Sequence, residues 1–401
     1  MLQRSKSVSI STLVVFTLTL VLISCSGGGA SGTSSTPSTP TISSSGQSLG
    51  NKATSTSSQS ANPASQPCPD TVQSPAHWDA IIPTQDGVSH VETVVCGYLT
   101  DSSTLQALVT VRYQGTGQLL DVYVFNDITS PNPIELLKLQ SLYNGDARIS
   151  TYNTLLTAEV DQDSSINAGK SDSEMTRDLF REFQWDGSAG TLVPVSFPGI
   201  FPDMTRFQAE DDQTLVNQGQ DSWKLNAAAV ALHMATDAHL LNWPADSRTA
   251  VVSGGGASDE NAVVTVKNSS PPGDIIRVSL ARLERNTNKG IWEVVSVTAN
   301  GISITSPQSR DILASPLKVT GTGNAFEGVI GTVHVLDHAY APIGHAQVTG
   351  ATGNGATTFS TMVSYTTTFK GGKQDGVVVL YAANNAGSSS GAAVMIKELL
   401  G

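Results

Sequence analysis

The amino-acid sequence predicts a multi-domain, mainly β protein. An apolar leader is followed by a long segment of small polar residues, and the remaining chain is dominated by short strand-like runs separated by turn residues. This remainder of about 335 residues is more than one hydrophobic core usually serves, so it is expected to divide. We expect a β-rich domain at 68–201, an α+β domain at 202–301 and a β-sandwich at 302–401.

The first 24 residues have the pattern of an export signal. Arg4 and Lys6 precede an apolar run that extends from Leu13 to Ile23 and ends at Ser24-Cys25. The run is shorter than the roughly 20 apolar residues that span a bilayer comfortably. A signal peptide covering residues 1–24 is therefore predicted.

The end of this leader, Leu22-Ile23-Ser24-Cys25, resembles the lipobox of bacterial lipoproteins, in which a small residue precedes a lipidated cysteine. The resemblance implies that Cys25 becomes the mature N-terminus and carries acyl chains such as palmitate. Several acyl chains on one residue would anchor the protein stably to the outer face of a bacterial membrane. The alternative is ordinary cleavage near Ser24, with Cys25 incidental.

Residues 25–67 are predicted to be a disordered tether. From Ser26 onward they consist almost entirely of Ser, Thr, Gly, Pro, Ala, Gln and Asn, and Lys52 is their only charged residue. Such a composition cannot bury a core. As a flexible coil, the segment has a root-mean-square reach of roughly 35 to 40 Å.

Two cysteines remain once Cys25 is assigned to the anchor. Because Cys68 and Cys96 belong to an exported chain, we predict that they form a disulfide. Closing that loop would stabilise the first domain by roughly 3 to 4 kcal/mol in the chain-entropy model. The alternative is a pair of buried free thiols.

The charge balance argues against a nucleic-acid partner. The chain has 34 acidic and 22 basic residues, and removal of Arg4 and Lys6 with the leader changes the formal charge from −12 to −14. Phosphate binding requires clustered Lys and Arg. We therefore expect no nucleic acid among the partners.

Residues 68–201 contain runs rich in Val, Leu and Tyr, separated by Gly, Asp, Asn and Pro, which is typical of strands joined by turns. Trp185-Asp186-Gly187 is predicted to form a hairpin turn. The strands predicted for this β-rich domain are 91–99, 105–113, 119–125, 148–160 and 191–197.

The composition changes near Asp203, where two segments acquire helical spacing. Helices are predicted at 205–218 and 226–241, with Asn226 as the N-cap of the second helix and Pro244 closing it. Helices followed by a β-meander predict an α+β unit with the helices on one face of an antiparallel sheet. The strands predicted for that sheet are 262–267, 275–283 and 291–298, with a hairpin at 286–290.

The last hundred residues have the regular short strands of an antiparallel β-sandwich. Turns are predicted at Gly321, 353–355, 371–372 and 384–387. Alternation of apolar and polar residues predicts a core that contains four large side chains. They are Val319, Phe326, Val335 and Tyr365.

Several strings in this segment resemble the immunoglobulin-like domain of bacterial spore germination proteins. They include Thr305-Ser306-Pro307, the stretch SPLKVTGTGNAFEG at 315–328 and Val335-Leu336-Asp337. The resemblance implies an immunoglobulin-like β-sandwich at 302–401, used as an accessory module beside germination and cell-wall components. Ala341-Pro342 and the turn at 384–387 depart from the family pattern, which weakens the transfer of a binding edge but not of the fold.

Four potential metal ligands, His334, Asp337, His338 and His345, lie within twelve positions of one another. In a strand over 333–337, His334 and Asp337 point to opposite faces. His338 and His345 are the pair expected to meet across a hairpin. We expect surface or strand-end histidines here, with His338 and His345 as the candidates for a metal.

Asp161 and Asp163 open a segment that starts like a calcium-binding loop. However, Ile166 occupies the position of the required glycine, and position twelve is Asp172 instead of glutamate. We therefore expect a polar hairpin loop, with Asp161 and Asp163 as the candidate calcium ligands.

The sequence contains no recognisable catalytic or cofactor motif. No serine lies in a Gly-x-Ser-x-Gly elbow, and Gly169-Lys170-Ser171 lacks the upstream glycine of a phosphate loop. Catalytic residues, metals and cofactors are therefore not predicted. A carboxylate pair contributed by distant segments, as in glycosidases, stays open.

The function predicted from these observations is non-enzymatic. The chain would be lipid-anchored at the cell surface, in association with germination or the cell wall, and its β-rich and immunoglobulin-like modules would bind a cell-envelope protein or a cell-wall polymer. The alternative is an envelope hydrolase that acts on cell wall or polysaccharide, with its site in 68–301. A pocket with convergent acids, or with a nucleophile beside its base, would favour the hydrolase.

Overall fold

A computed structural model describes residues 65–115, 117–284, 290–351, 355–383 and 391–401. Cys25, the leader and most of the predicted tether lie outside these ranges. Strands dominate and helices are few, which confirms the mainly β prediction. Within these ranges, no helix has both the length and the apolar character needed to cross a membrane.

The first sheet has five antiparallel strands in chain order, and two short helices cover one of its faces. Side chains of the sheet alternate between its two faces, and both faces are buried. Tyr123 and Phe125 pack with Trp78 of the second helix on one face, whereas Val122 and Val124 enter a separate core on the other. The elements are β1 (Ser65–Gln66), α1 (Asp70–Gln73), α2 (Pro75–Asp79), β2 (Ser89–Gly97), β3 (Gln106–Tyr113), β4 (Leu120–Asn126) and β5 (Ile134–Leu142).

The second sheet has four antiparallel strands, also in chain order. The single strand predicted at 148–160 is in fact two strands, because the Ser150 hydroxyl accepts the backbone N–H groups of Tyr152 and Thr154 and closes a tight turn. The predicted turn after Trp185 is confirmed, with Gly190 N–H bonded to Asp186 O. The strands are β6 (Asp146–Ile149), β7 (Leu155–Glu159), β8 (Leu179–Asp186) and β9 (Thr191–Val195).

Two helices follow, α3 (Arg206–Asn217) and α4 (Ala227–Thr236), where the sequence predicts them. The Asn226 side chain accepts the N–H groups of the second and third residues that follow it, so it is the predicted N-cap. The second helix ends five residues earlier than predicted. Asp237 is extended and residues 237–242 form a separate turn.

The third sheet has twelve strands, one of which, β10, the sequence analysis missed. Its main path runs β10-β11-β12-β13-β21-β20-β17-β18, and the remaining strands branch from it. The strands are β10 (Arg248–Gly254), β11 (Asn261–Lys267), β12 (Ile275–Ala281), β13 (Glu293–Ala299), β14 (Ile302–Ser306), β15 (Ile312–Leu313), β16 (Leu317–Asn324), β17 (Val329–Leu336), β18 (Pro342–Thr349), β19 (Ala356–Val363), β20 (Gln374–Ala382) and β21 (Ala393–Leu400).

This sheet crosses the predicted boundary at residue 302. Val297 of β13 pairs with Met395 of β21, and Met395 lies in one core with Val230 of α4 and Val264 of β11. Whether 202–301 and 302–401 fold independently of each other stays a prediction. The strands on its two sides share hydrogen bonds and a hydrophobic core.

The C-terminal part is a β-sandwich. One layer consists of β14, β16 and β19, and the other of β21, β20, β17 and β18. Val319, Val335 and Tyr365 are buried in its core as predicted. Phe326 is not, since it lies between β16 and β17 with 46% of its surface exposed.

Phe359, and not Phe326, is the phenylalanine buried in this core, and Gly321 explains why. Gly321 was predicted to make a turn but lies in the middle of β16. A Cβ atom at this position would come within 2.6 Å of the Phe359 ring, so the missing side chain makes room for the aromatic ring. The predicted turns at 353–354 and 384–387, and residues 286–289 of the predicted hairpin, lie outside the described residues.

Candidate functional site

A groove of about 1160 Å³ opens beside the outer face of β17, the face opposite the sandwich core. We refer to it as the β17 groove. It is lined by residues from five parts of the chain: 165–166, 201–208, 237–242, 329–342 and 381–383. Packing of the helices on the third sheet brings four of these segments together. They are 201–208, 237–242, 329–342 and 381–383.

Alternation along β17 explains how this strand forms both a core and a groove wall. Val333 and Val335 point into the sandwich core. Thr332, His334 and Leu336, which alternate with them, line the groove. The open face of the strand is therefore one side of an ordinary amphipathic pattern.

Two tyrosines connect the groove walls. The Tyr381 hydroxyl at the end of β20 donates to Leu240 O at 3.0 Å, which holds the 237–242 turn. The Tyr340 hydroxyl donates to Ile200 O at 2.5 Å on the other side. Burial raises the pKa of Tyr381 to about 12, so the phenol stays protonated and remains a donor.

The groove is poor in charge. Among the described residues that line it, none is Lys or Arg, and Asp237 is the only carboxylate. Three histidines complete its ionisable lining apart from the tyrosines: exposed His239, half-buried His334 and buried His338. The other lining side chains are apolar, aromatic or neutral and polar.

His334 is part of an aromatic corner. Its ring meets that of Tyr381 at an interplanar angle of 87°, with centroids 5.3 Å apart, and stacks near the ring of His345 on β18. Burial, together with the charge of His345, lowers the pKa of His334 below its ordinary value. His334 is therefore a neutral hydrogen-bonding group at neutral pH.

His338 joins the groove to the second sheet. Its Nε2 atom lies 3.1 Å from Asp178 Oδ2, and Asp178 also accepts the amide of Asn167 and the backbone N–H of Asp161. Burial lowers the pKa of His338, but the hydrogen bond to Asp178 and the nearby carboxylates outweigh it. The net pKa is raised, which favours an imidazolium–carboxylate pair.

A pair of carboxyl groups lies behind the groove. Asp203 N–H donates to Glu293 Oε2 at 3.3 Å, and both residues are buried. Burial raises the pKa of Asp203 to about 6. It raises the pKa of Glu293 well above its ordinary value, with a further contribution from the Asp203 charge. The pair is expected to hold a proton, and it is closed to any substrate because Glu293 has no exposed surface.

The predicted site residues are distributed as follows. Cys68 and Cys96 form a disulfide with Cα atoms 5.2 Å apart, which confirms their pairing. His338 and His345 do not meet, because His345 lies opposite His334 in the β17–β18 register. The partner of His345 across the hairpin is His334 and not the predicted His338, because β17 ends at Leu336 and His338 lies beyond it.

The calcium-loop candidates form a hydrogen-bonded turn. Asp161 Oδ1 accepts the N–H of Asp163 at 3.1 Å, and Asp161 Oδ2 accepts the Thr368 hydroxyl. Over the described ranges, His, Cys, Asp and Glu are nowhere gathered in threes in a way that could hold a metal ion.

Residues 301–389 match the family model Gmad2, the immunoglobulin-like domain of bacterial spore germination. This confirms the resemblance inferred from the sequence. The immunoglobulin-like domain therefore supplies β17, β18 and β20, and with them one wall of the groove. The match indicates a protein of the cell envelope or of germination. No curated protein matches the chain.

Sequence reasoning missed several residues that build the groove. Asp178 and Tyr381 were not singled out, although a Tyr that ends an apolar strand often uses its hydroxyl at a boundary between core and surface. The end of α4 at Thr236 was missed as well, and it is this end that frees residues 237–242 to form a wall.

Proposed function

We propose that this chain is a lipid-anchored, non-enzymatic protein of the outer face of a bacterial membrane that binds an envelope partner in the β17 groove. The anchor is Cys25, and the tether extends the folded part away from the membrane. The tether predicted at 25–67 is shortened to 25–64, because Ser65 and Gln66 form β1 and pair with β2. The partner is a cell-wall polymer or a cell-envelope protein, and nucleic acid is not expected.

The observation that carries the binding proposal is the groove itself. It is open, and it combines apolar walls with a few polar groups, none of them Lys or Arg among the described lining residues. One of its walls belongs to a domain of the envelope or germination type. Binding sites commonly have this mixture of apolar area and a few convergent polar groups. The buried Asp203–Glu293 pair lies behind this surface and does not line it.

The anchor is tested by changing the lipobox. In a bacterial host, the wild-type chain should partition into detergent, with acyl chains on an N-terminal Cys25, whereas Cys25→Ala should carry no acyl chains and should keep the uncut leader. Ser24→Ala keeps a small residue before the cysteine and should behave like wild type. Mass spectrometry of the mature N-terminus decides the matter, and an unmodified wild-type chain that begins elsewhere would contradict the anchor.

The groove is tested with isolated envelopes and a soluble chain that begins at residue 26 and is exported behind an ordinary cleavable signal peptide, without Cys25. Thr332→Trp places a large side chain on the groove face of β17 and should abolish co-sedimentation with envelopes. The matched control is Thr358→Trp, on an exposed position of β19 in the same domain. Both variants should retain the circular dichroism of the parent. Equal co-sedimentation of the two would show that the partner binds elsewhere.

The envelope hydrolase is the second candidate, and the Asp203–Glu293 pair is the observation that favours it. A hydrolase would release soluble fragments from envelope polysaccharide, and Glu293→Gln would stop that release. We expect no release from wild type or variant, because the pair is closed to solvent. Release that depends on Glu293 would replace the binding proposal with the enzymatic one.

A further inference from the structure

The chemistry of the groove narrows the class of ligand, starting with charge. A polyanion such as a teichoic acid or a nucleic acid needs Lys or Arg at its phosphates. The described lining has neither, and Asp237 would repel an anion. The mature chain also has a formal charge of −14, because the leader takes Arg4 and Lys6 from the −12 of the whole sequence. Among the described lining residues Asp237 is also the only carboxylate, so a polycation would find a single partner there. The ligand is therefore uncharged along the part that enters the groove.

The polar lining suits hydroxyl and amide groups. Asp237, His239 and Asn242 lie together on the 237–242 turn, and Thr332 and His334 line the β17 side of the groove. His239 and Asn242 are exposed, and Asp237 is partly exposed. The carboxylate accepts hydrogen bonds, and the imidazole, amide and hydroxyl groups both donate and accept them, as required for a ligand with many hydroxyls.

The apolar lining suits the C–H faces of sugar rings. Tyr381 and His334 form an edge-to-face aromatic corner, and Phe201 with Pro202 lies on the 201–208 segment. Pyranose rings present flat apolar faces between their hydroxyl groups, so they pack on aromatic and proline rings while their edges hydrogen-bond. A purely apolar partner would leave the polar groups of the 237–242 turn without partners.

The size of the groove favours a polymer. Its volume of about 1160 Å³ exceeds the range of roughly 300 to 1,000 Å³ that is usual for small-molecule sites. A single sugar would fill only a small part of it. A chain that passes along the groove would contact both the 237–242 turn and β17.

From these four properties we infer that the β17 groove binds an uncharged glycan strand of the cell wall. The inference rests on the proposed envelope-binding function and names the chemistry of its partner. His239 of the 237–242 turn contributes hydrogen bonds to sugar hydroxyls, and the Tyr381–His334 corner packs against a sugar ring.

The test measures binding of an uncharged N-acetylglucosamine oligosaccharide to the soluble chain that begins at residue 26, by calorimetry. Binding should be weakened about fivefold by His239→Ala, as expected for the loss of one hydrogen bond. His90→Ala removes an exposed histidine from β2, in the first sheet, and should leave binding unchanged. Both positions are exposed, so neither change threatens the fold.

A glycerol-phosphate polymer serves as the anionic probe and should not bind. Binding of this polymer in preference to the oligosaccharide would overturn the inference, as would equal losses for the two histidine variants. If the oligosaccharide fails to bind while envelopes still co-sediment in a Thr332-dependent way, the groove binds a different partner and only the glycan assignment falls. Failure of both measurements would remove the proposed function as well.

Discussion

The β20–β17–β18 layer has two faces built from one alternating pattern of side chains, and the two faces have different surroundings. On the inner face, Val333, Val335 and Val378 are buried in the sandwich core. On the outer face, Val377 and Val379 are buried by the central part of the chain, whereas His334 and Tyr381 border the groove. A strand with period 2 can therefore secure the fold on one side and present a site on the other.

Buried charges show the same contrast on the neighbouring strand β21. Lys397 points to the outer side, where it pairs with Asp375 at 3.4 Å and donates to Met204 O. Glu398 points to the inner side, and neither of its carboxyl oxygens has a hydrogen-bond partner. On the outer side the buried Lys397 is thus paired with a carboxylate. On the inner side Glu398 lacks such a partner and its carboxyl group stays protonated.

The largest effect is expected from opening the inner face. Phe359→Ala should lower the free energy of unfolding by roughly 3 to 5 kcal/mol, because it leaves a cavity against Gly321 and the surrounding core. Denaturant unfolding of the soluble chain that begins at residue 26 measures the loss. The matched control is Phe326→Ala, which should cost less than about 0.5 kcal/mol at an exposed position. Equal costs would show that the inner core is not organised around Phe359.

The next effect is a pH dependence that originates on the inner face. Burial, with the charge of Asp311, raises the pKa of Glu398 to about 9. The folded state then holds a proton that the unfolded state releases near its ordinary pKa of 4.5. Stability should fall as the pH rises from about 5 to 9, by up to about 1.4 kcal/mol per pH unit for this one proton.

Glu398→Gln removes this one titration and should make the stability profile less steep, so its advantage over the parent grows with pH. Some slope remains, because burial also raises the pKa of Glu284 and of Glu293. Thermal unfolding across that range measures the difference. Glu327→Gln changes an exposed glutamate and should run parallel to the parent at every pH. A Glu398→Gln profile parallel to the parent would mean that the carboxyl group ionises normally inside the core.

The smallest effect concerns the outer face. Tyr381→Phe removes the bond to Leu240 O and should cost about 1 kcal/mol. It should also speed amide hydrogen exchange in the 237–242 turn. Tyr365→Phe removes a longer bond of 3.4 Å on the inner side and should change stability less, without affecting that turn. Faster exchange in both variants would contradict a local role for Tyr381 in holding the groove wall.

The sequence by itself determined the features that depend on neighbouring residues. Asn226 caps its helix because its side chain needs only the next turn of backbone. The immunoglobulin-like segment has a recognisable local order of prolines, glycines and aromatics, and the Cys68–Cys96 pair followed from export and from the count of cysteines.

Only the tertiary structure decided between residues with the same local signal. Phe326 and Phe359 both lie in strand-like surroundings, and the strand register that brings Phe359 over Gly321 determines which of them is buried. The groove depends on the same kind of information. His239, His334 and Tyr381 are far apart along the chain, and they line one surface because the helices pack on a sheet shared by the central and C-terminal parts. Ile166 reaches the same surface from a loop between β7 and β8 of the second sheet.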